Sequence, residues 1–253
     1  MPTFDSDGVR IAYDVEGEGE PVLLVHGFAS TAAVNWGSTS WIDLLKKAGR
    51  RVVTIDNRGH GQSEKLYDPA AYEAATMAED LRRLLDTLSI ESADVMGYSM
   101  GARLSALLAI AHPTRVRSLV LGGLAGNMIN GVPGSAEVIA ALEAPSLASV
   151  TDPMGRSFRR FAEQTKSDLA ALAACMRSSR VVIDPAALRT IQCPVLIVVG
   201  DADDIAGPIG PIAEAIPDAE TLVLKGKDHM RAVTDQQYRL AVLDFLDRAT
   251  APV

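Results

Sequence analysis

The sequence predicts an α/β fold: a mostly parallel, eight-stranded sheet with helices on both faces and a small helical insertion past its middle. Three observations predict it. Short, near-continuous apolar runs recur along the chain, as expected of strands buried on both faces. They alternate with segments that place apolar residues at helical spacing. At one junction, Gly97-Tyr98-Ser99-Met100-Gly101, an apolar run passes into a helix pattern through a turn flanked by glycines.

The elements follow in order. Residues 2–15 read as a hairpin, with Thr3-Phe4-Asp5, a turn at Asp7-Gly8, and Val9 to Tyr13. Strand runs then stand at Pro21–His26, Arg51–Asp56, Asp94–Met96, Val116–Leu121, Pro194–Val199 and Thr221–Leu224. Helical patterns lie between them at Trp41–Ala48, Tyr72–Leu88, Arg103–Ala111 and Gln236–Arg248; in the second, Met77, Leu81, Leu84, Leu85 and Leu88 share a face. The alternation breaks between Gly122 and Asp184, where a glycine- and proline-bearing loop precedes helical stretches at Ala136–Glu143, Arg156–Lys166 and Asp168–Arg177. Long structureless loops are uncommon in compact domains. The expected organisation is therefore a core of residues 1–122 and 184–253, with residues 123–183 inserted as a helical cap.

The chemistry centres on the G-x-S-x-G motif at 97–101. A serine held on a sharp strand-to-helix turn projects its hydroxyl above the sheet, and side chains at the flanking glycines would collide with neighbouring elements. Serine is a weak nucleophile without a base, so a partner must stand elsewhere. Of the four histidines, His26 ends the Pro21 strand run, His60 lies in the Arg58–Ser63 loop and His112 precedes Pro113. Only His229 lies beyond a late strand run, and Gly226 frees its loop. Between Ser99 and His229, Asp201, Asp203 and Asp204 follow the strand run that ends at Gly200. A carboxylate there would fix the imidazole tautomer and stabilise the imidazolium.

Serine, acid and histidine in that order, with His26-Gly27-Phe28 upstream and Asp56-Asn57-Arg58-Gly59-His60-Gly61-Gln62-Ser63 between, resemble the α/β-hydrolase superfamily over nearly the whole chain. The resemblance implies Asp203 as the triad acid, because relatives place it three residues after the glycine. The proline that relatives often carry next is Asp204 here. It also implies the backbone N–H of Phe28 as one oxyanion donor; Met100, directly after the serine, supplies the other by geometry. Candidate pocket residues are Tyr98 and Trp36, with Phe158 and Phe161 one helical turn apart in the cap and Met154 near them. Arg103, in the Tyr-Ser-x-Gly-x-Arg arrangement, is similar to the menaquinone-pathway lyases of this superfamily, in which that arginine helps hold an acidic substrate. The expectation from the sequence is instead an arginine on the outer face of its helix, paired with a carboxylate.

The chain has 253 residues and a net charge of −8, with an isoelectric point near 5.0. That charge disfavours a nucleic-acid backbone as partner. No apolar run is long enough to span a bilayer, and the N-terminal residues are polar and acidic, so neither membrane nor secretory signal is expected. Cys175 and Cys193 lack metal-ligand spacing and read as free thiols in a reducing cytoplasm. The expected protein is a cytoplasmic monomer or homodimer with no cofactor and no metal. It hydrolyses a small ester through Ser99, Asp203 and His229. The alternatives are a lyase or C–C hydrolase with the same triad on a carboxylate-bearing substrate, in which Arg103, Arg156, Arg159 and Arg160 would hold carboxylates, and a ligand-binding receptor on the same fold.

Overall fold

Eight strands form one sheet in the order β1-β2-β4-β3-β5-β6-β7-β8, in a computed structural model that describes residues 1–250. β1 (Thr3–Ser6) and β2 (Val9–Glu16) make the expected hairpin, and β2 pairs antiparallel with β4 (Arg50–Ile55). β3 (Glu20–Val25), β5 (Ala93–Tyr98), β6 (Val116–Gly122), β7 (Val195–Gly200) and β8 (Glu220–Leu224) complete it. Every pairing from β4 to β8 is parallel. The expected strand set and the mostly parallel sheet are both present. β3, β5, β6 and β7 are buried almost end to end, which is why their sequences are apolar runs and not alternating ones.

Helices cover both faces. α1 (Trp41–Lys47), α2 (Ala74–Thr87) and α3 (Met100–Ala111) precede β6. Between β6 and β7 lie α4 (Asn127–Asn130), α5 (Ser135–Glu143), α6 (Pro153–Gln164), α7 (Leu169–Ser178) and α8 (Pro185–Leu188). α9 (Gly210–Ala215), α10 (His229–Ala232) and α11 (Gln236–Thr250) follow. α6 starts three residues before the expected Arg156, because the Asp152 carboxylate accepts the Gly155 N–H at 2.7 Å and Pro153 takes the first helical position. Asp168 caps α7 in the same way through Ala171 N–H at 2.9 Å. The short α4, α8, α9 and α10 were not anticipated. Four to six residues carry too little periodicity to read.

Two apolar layers sandwich the sheet. One joins α2, α3 and the inter-strand helices around Leu23, Val95, Leu119 and Ile197. The other packs Trp41, Tyr238 and Phe245 against Leu24, Met96 and Val198. Cys175 and Cys193 are both free thiols. No helix among the described residues is long and apolar enough to cross a membrane.

The tightest point lies where β5 gives way to α3. A Cβ on Gly97 would collide with the Gly101 carbonyl, and one on Gly101 with the Val25 carbonyl of β3. Helix and strand meet with no room for a methyl group, so the helix can pack this close only through glycine. Gly101→Ala should therefore lower stability by about 1–3 kcal/mol or more, measured by chemical denaturation. Gly210→Ala, with nothing within 4 Å of the added carbon, should leave the midpoint unchanged or slightly raised.

Candidate active site

Ser99 stands between β5 and α3 with φ 55° and ψ −114°. That left-handed backbone is costly for a residue with a side chain, and it persists only where surroundings over-determine it. Here the Ser99 N–H donates to Gly122 O at 2.8 Å on β6, while Ser99 O accepts from Ala102 and Arg103 as α3 begins. The hydroxyl faces a cavity of about 490 Å³, the size range of small-molecule sites.

Asp203 and His229 meet at the same end of the sheet. His229 Nδ1 and Asp203 Oδ2 are 2.8 Å apart. The other carboxylate oxygen, Oδ1, accepts the N–H groups of Ile205 and Ala206, each at 3.0 Å. Asp203 is thus buried and fully partnered as an acceptor, so Nδ1 of His229 carries the proton and Nε2 is left as the basic nitrogen. Asp201 accepts the Gly226 N–H at 2.6 Å on the protein surface, and Asp204 is exposed; neither is paired with His229. The Tyr98 hydroxyl donates to the His229 carbonyl at 2.6 Å, and its ring lies 5.3 Å from the imidazole. Burial pushes the Tyr98 phenol well above its ordinary range, which keeps it a donor. Ser99 and His229 both border the cavity. No hydrogen bond joins them among the described residues; such bonds are often loose in an empty site and tighten when substrate binds.

The loop after β3 is held from several sides. His26 Nε2 accepts the Asn57 N–H at 3.0 Å, so Nδ1 is the protonated nitrogen and donates to Gly27 O at 2.7 Å. Asn57 Nδ2 donates to His26 O at 3.0 Å. Asp56 accepts from Ala32 N–H and Gln62 N–H, each at 2.8 Å. Asn35 Oδ1 accepts the Gly27 N–H at 3.1 Å, while its Nδ2 is buried without a partner on the cavity wall. Among the described residues the N–H groups of Phe28 and Met100 donate to no protein acceptor, and both residues border the cavity. Two free N–H groups beside a serine hydroxyl are what a developing oxyanion requires.

The α/β hydrolase fold family model matches residues 20–180, well over half the chain. The chain belongs to the α/β-hydrolase family. Among its relatives, the 2-(acetamidomethylene)succinate hydrolase of Mesorhizobium japonicum is 30% identical over 94% of this chain and 92% of that one. The 2-hydroxymuconate semialdehyde hydrolase of Pseudomonas putida is 40% identical, over 47% of this chain and 41% of that enzyme. Of solved structures, a hydrolase from Pseudomonas aeruginosa superposes with a TM-score of 0.81 at 25% identity, over 97% of each chain.

Within this α/β-hydrolase, Tyr98, Phe158 and Phe161 line the cavity. The Phe158 ring lies 6.0 Å from that of Phe28. Trp36 does not line it. Residues 33–37 form a π-helical turn that drives the indole, 0% exposed, into the second apolar layer beside Trp41. Trp41 is fixed there by an indole N–H bond to Val233 O at 2.8 Å. Met154 is absent from the lining too; it packs on Gly134.

The expectation for Arg103 is overturned. The side chain is 2% exposed, it borders the cavity, and Nε and Nη2 lack any partner among the described residues. Residue i+4 on a helix shares the face of residue i, so a helix that starts directly after Ser99 carries Arg103 to the side of Ser99. The arginines expected to assist it are committed elsewhere. Arg156 donates to Leu147 O at 2.8 Å, Arg159 to Glu163 and to Ala141 O at 2.8 and 2.7 Å, and Arg160 is exposed. Arg180, which nothing in the sequence singles out, borders the cavity instead.

His26 and His60 stack with ring centroids 5.3 Å apart behind Phe28, whose ring meets His60 at 5.7 Å. Burial pushes His26 down to about 4 and, with the neighbouring His26 adding to it, His60 down to about 3, from an ordinary 6.5. Both are neutral in the fold at pH values where an unfolded histidine is protonated. Below pH 6.5 the unfolded state binds more protons, so this contribution is complete above pH 6.5 and is lost as pH falls to about 4 for His26 and about 3 for His60. Unfolding free energy measured by denaturant titration should fall across that window. His60→Asn, which keeps a donor but does not titrate, should flatten part of the slope.

Proposed function

We propose that the protein is a serine hydrolase that cleaves a small ester or related acyl compound through an acyl-enzyme, with Ser99 as nucleophile, His229 as base and Asp203 as orienting acid. The observation that carries this reading is the buried Asp203–His229 pair at 2.8 Å on the cavity bordered by a strained, glycine-flanked serine. Residues 123–183 act as a cap over a core formed by 1–122 and 184–253, and the substrate is a small molecule.

The chemistry follows from the proton positions. His229 Nε2 takes the Ser99 proton as Oγ attacks the substrate carbonyl. The carbonyl oxygen becomes an oxyanion that accepts from the N–H groups of Phe28 and Met100. On collapse, the imidazolium returns its proton to the leaving alcohol and Ser99 holds the acyl group. Water then enters, His229 takes its proton, and attack on the acyl carbonyl releases the acid and restores Ser99. Tyr98 positions the His229 backbone, and Phe158 and Phe161 wall the acyl group.

A second reading, cleavage of a carboxylate-bearing substrate at a C–C or C–N bond, is favoured by the inward Arg103. It accords with the relative named as a hydrolase of 2-(acetamidomethylene)succinate, a dicarboxylate.

A fluorophosphonate probe should label Ser99 alone, by intact mass and peptide mapping. Labelling should vanish in Ser99→Ala and slow greatly in His229→Ala; an unlabelled folded protein would sink the hydrolase reading. Asp203→Asn should slow ester turnover by up to about four orders of magnitude, as the wrong tautomer does in the serine-protease triad. Asp201→Asn and Asp204→Asn should have little effect, and a larger loss in either would move the acid assignment.

A further inference from the structure

Among the described residues, six other than glycine take a positive φ, and two of them stand at the site: Ser99, and Ala29 at 58°. Five of the six carry a polar side chain; Ala29 does not. Left-handed backbone is costly for alanine, which has no side-chain group to bond the local backbone. Such a conformation persists only where its surroundings hold it. Ala29 is fully buried and directly follows Phe28, whose N–H has no protein acceptor and whose residue borders the cavity.

What holds Ala29 comes from the inter-strand segment. The hydroxyl of Thr165, directly after α6, donates to the Ala29 carbonyl at 2.9 Å, 136 residues away. Among the described residues no other donor reaches that carbonyl. Two further carbonyls lie in range of the hydroxyl, Phe161 O and Ala162 O, each at 3.1 Å. Both are already taken, Phe161 O by the Thr165 N–H at 3.0 Å and Ala162 O by the Ser167 N–H at 2.9 Å. The Ser167 hydroxyl, 2.9 Å from Thr165 Oγ1, is placed to donate to it. A hydroxyl has one proton to give, and the acceptor still free is Ala29 O. Within the turn itself, the Ser30 N–H reaches Gly27 O only at 3.3 Å. α6 meets this turn a second time: Phe158, two helical turns before Thr165 on the same face, lays its ring 6.0 Å from that of Phe28.

We propose that Thr165 is a positioning residue for catalysis: its hydroxyl clamps the Ala29 carbonyl, keeps that residue left-handed, and so holds the Phe28 N–H where the developing oxyanion needs it. The inference rests on the proposed function for the role of the Phe28 N–H; the clamp itself can be read without turnover. Oxyanion donors are effective because they are fixed before charge develops. The Met100 N–H is fixed by the seating of α3 within the core. The Phe28 N–H is fixed by a bond that crosses from segment 123–183 to the core. Phe158 and Phe161 of α6 line the cavity, whereas Thr165 does not. The helix that walls the cavity is thus also the one that completes the oxyanion site, through a residue that touches no substrate.

The test compares Thr165→Val, which keeps the shape and removes the hydroxyl, with Thr165→Ser, which retains it. With p-nitrophenyl acetate, Thr165→Val should lower kcat roughly 10- to 100-fold, up to the loss of one whole oxyanion donor, and leave KM unchanged. Acylation and deacylation both pass through an oxyanion, so the two slow together and their ratio, which enters KM, stays the same. Thr165→Ser should keep most of the rate. Ala29→Gly removes the cost of the left-handed backbone, so Thr165→Val should lose much less rate in that background. A hydroxyl that served only the fold would cost the same in both. Without turnover, amide exchange over residues 27–32, read by mass spectrometry, should quicken in Thr165→Val and not in Thr165→Ser, with β5 unchanged in each. An unchanged kcat in Thr165→Val, a raised KM in its place, an equal loss in both backgrounds, or unchanged exchange over residues 27–32 would overturn the clamp. If the wild type neither labels at Ser99 nor turns over ester, the hydrolase reading falls and exchange alone decides the clamp. Labelling at Ser99 with a kcat indifferent to Thr165→Val removes the clamp alone.

Discussion

The close approach of α3 to β3 and β5 is the constraint on which the site depends. Gly97 and Gly101 leave no space for a Cβ between the helix and the Val25 carbonyl, and Ser99 takes a positive φ to turn the chain within one residue. The strain is held by the Ser99 N–H bond to Gly122 and by a helix buried along nearly its whole length. Once the helix is seated, its rotation is set. Met100 N–H, at the first helical position, is left without an acceptor, and Arg103 comes round to the nucleophile's face. The strained Ser99, the unpartnered Met100 N–H and the inward guanidinium of Arg103 thus take their places from a single packing contact.

Around that helix, the polar groups divide into those that hold the frame and those left unsatisfied. Asp56, Asn57, His26 and the Oδ1 atom of Asn35 fix the loop of Phe28 with every partner accounted for. Both imidazoles behind that loop are kept neutral by burial, so it does not change charge across the physiological range. Of the buried groups without a partner among the described residues, Arg103 and Asn35 Nδ2 border the cavity, whereas Trp36 Nε1, His60 Nε2, the Tyr238 hydroxyl and Arg239 Nε lie away from it. Buried polar atoms are normally paired, so the two that face the cavity are open to a partner from within it.

How much was legible in the sequence differs by residue. Val95, Leu119 and Ile197 announced buried strands because a sheet covered on both faces needs apolar residues at every position. Ser99 was legible because few residues but glycine tolerate its flanking positions. Arg103 was misread: the sequence favours arginine at the surface, whereas the i+4 relation to Ser99 was already a signal for the opposite. Trp36 was misread because a π-helical turn rotates it by an amount no regular period describes. Arg180 lies just past a helix end, between the buried Ser179 and the exposed Val181, and carries no local pattern at all.

The sequence by itself determined the alternation of strands and helices, the glycine-bounded turn at Ser99, and the order in which Ser99, Asp203 and His229 follow strands, because these depend on local sterics and on the burial of whole segments. Only the tertiary structure decided which of three neighbouring aspartates meets His229, which tryptophan is core, and which arginines face the cavity. Those outcomes depend on side-chain direction and on partners distant in the chain. Asp203 lies 26 residues from His229, and Arg180 is anchored by Pro133, 47 residues away. A charge is buried or exposed, paired or free, only with respect to neighbours that folding supplies.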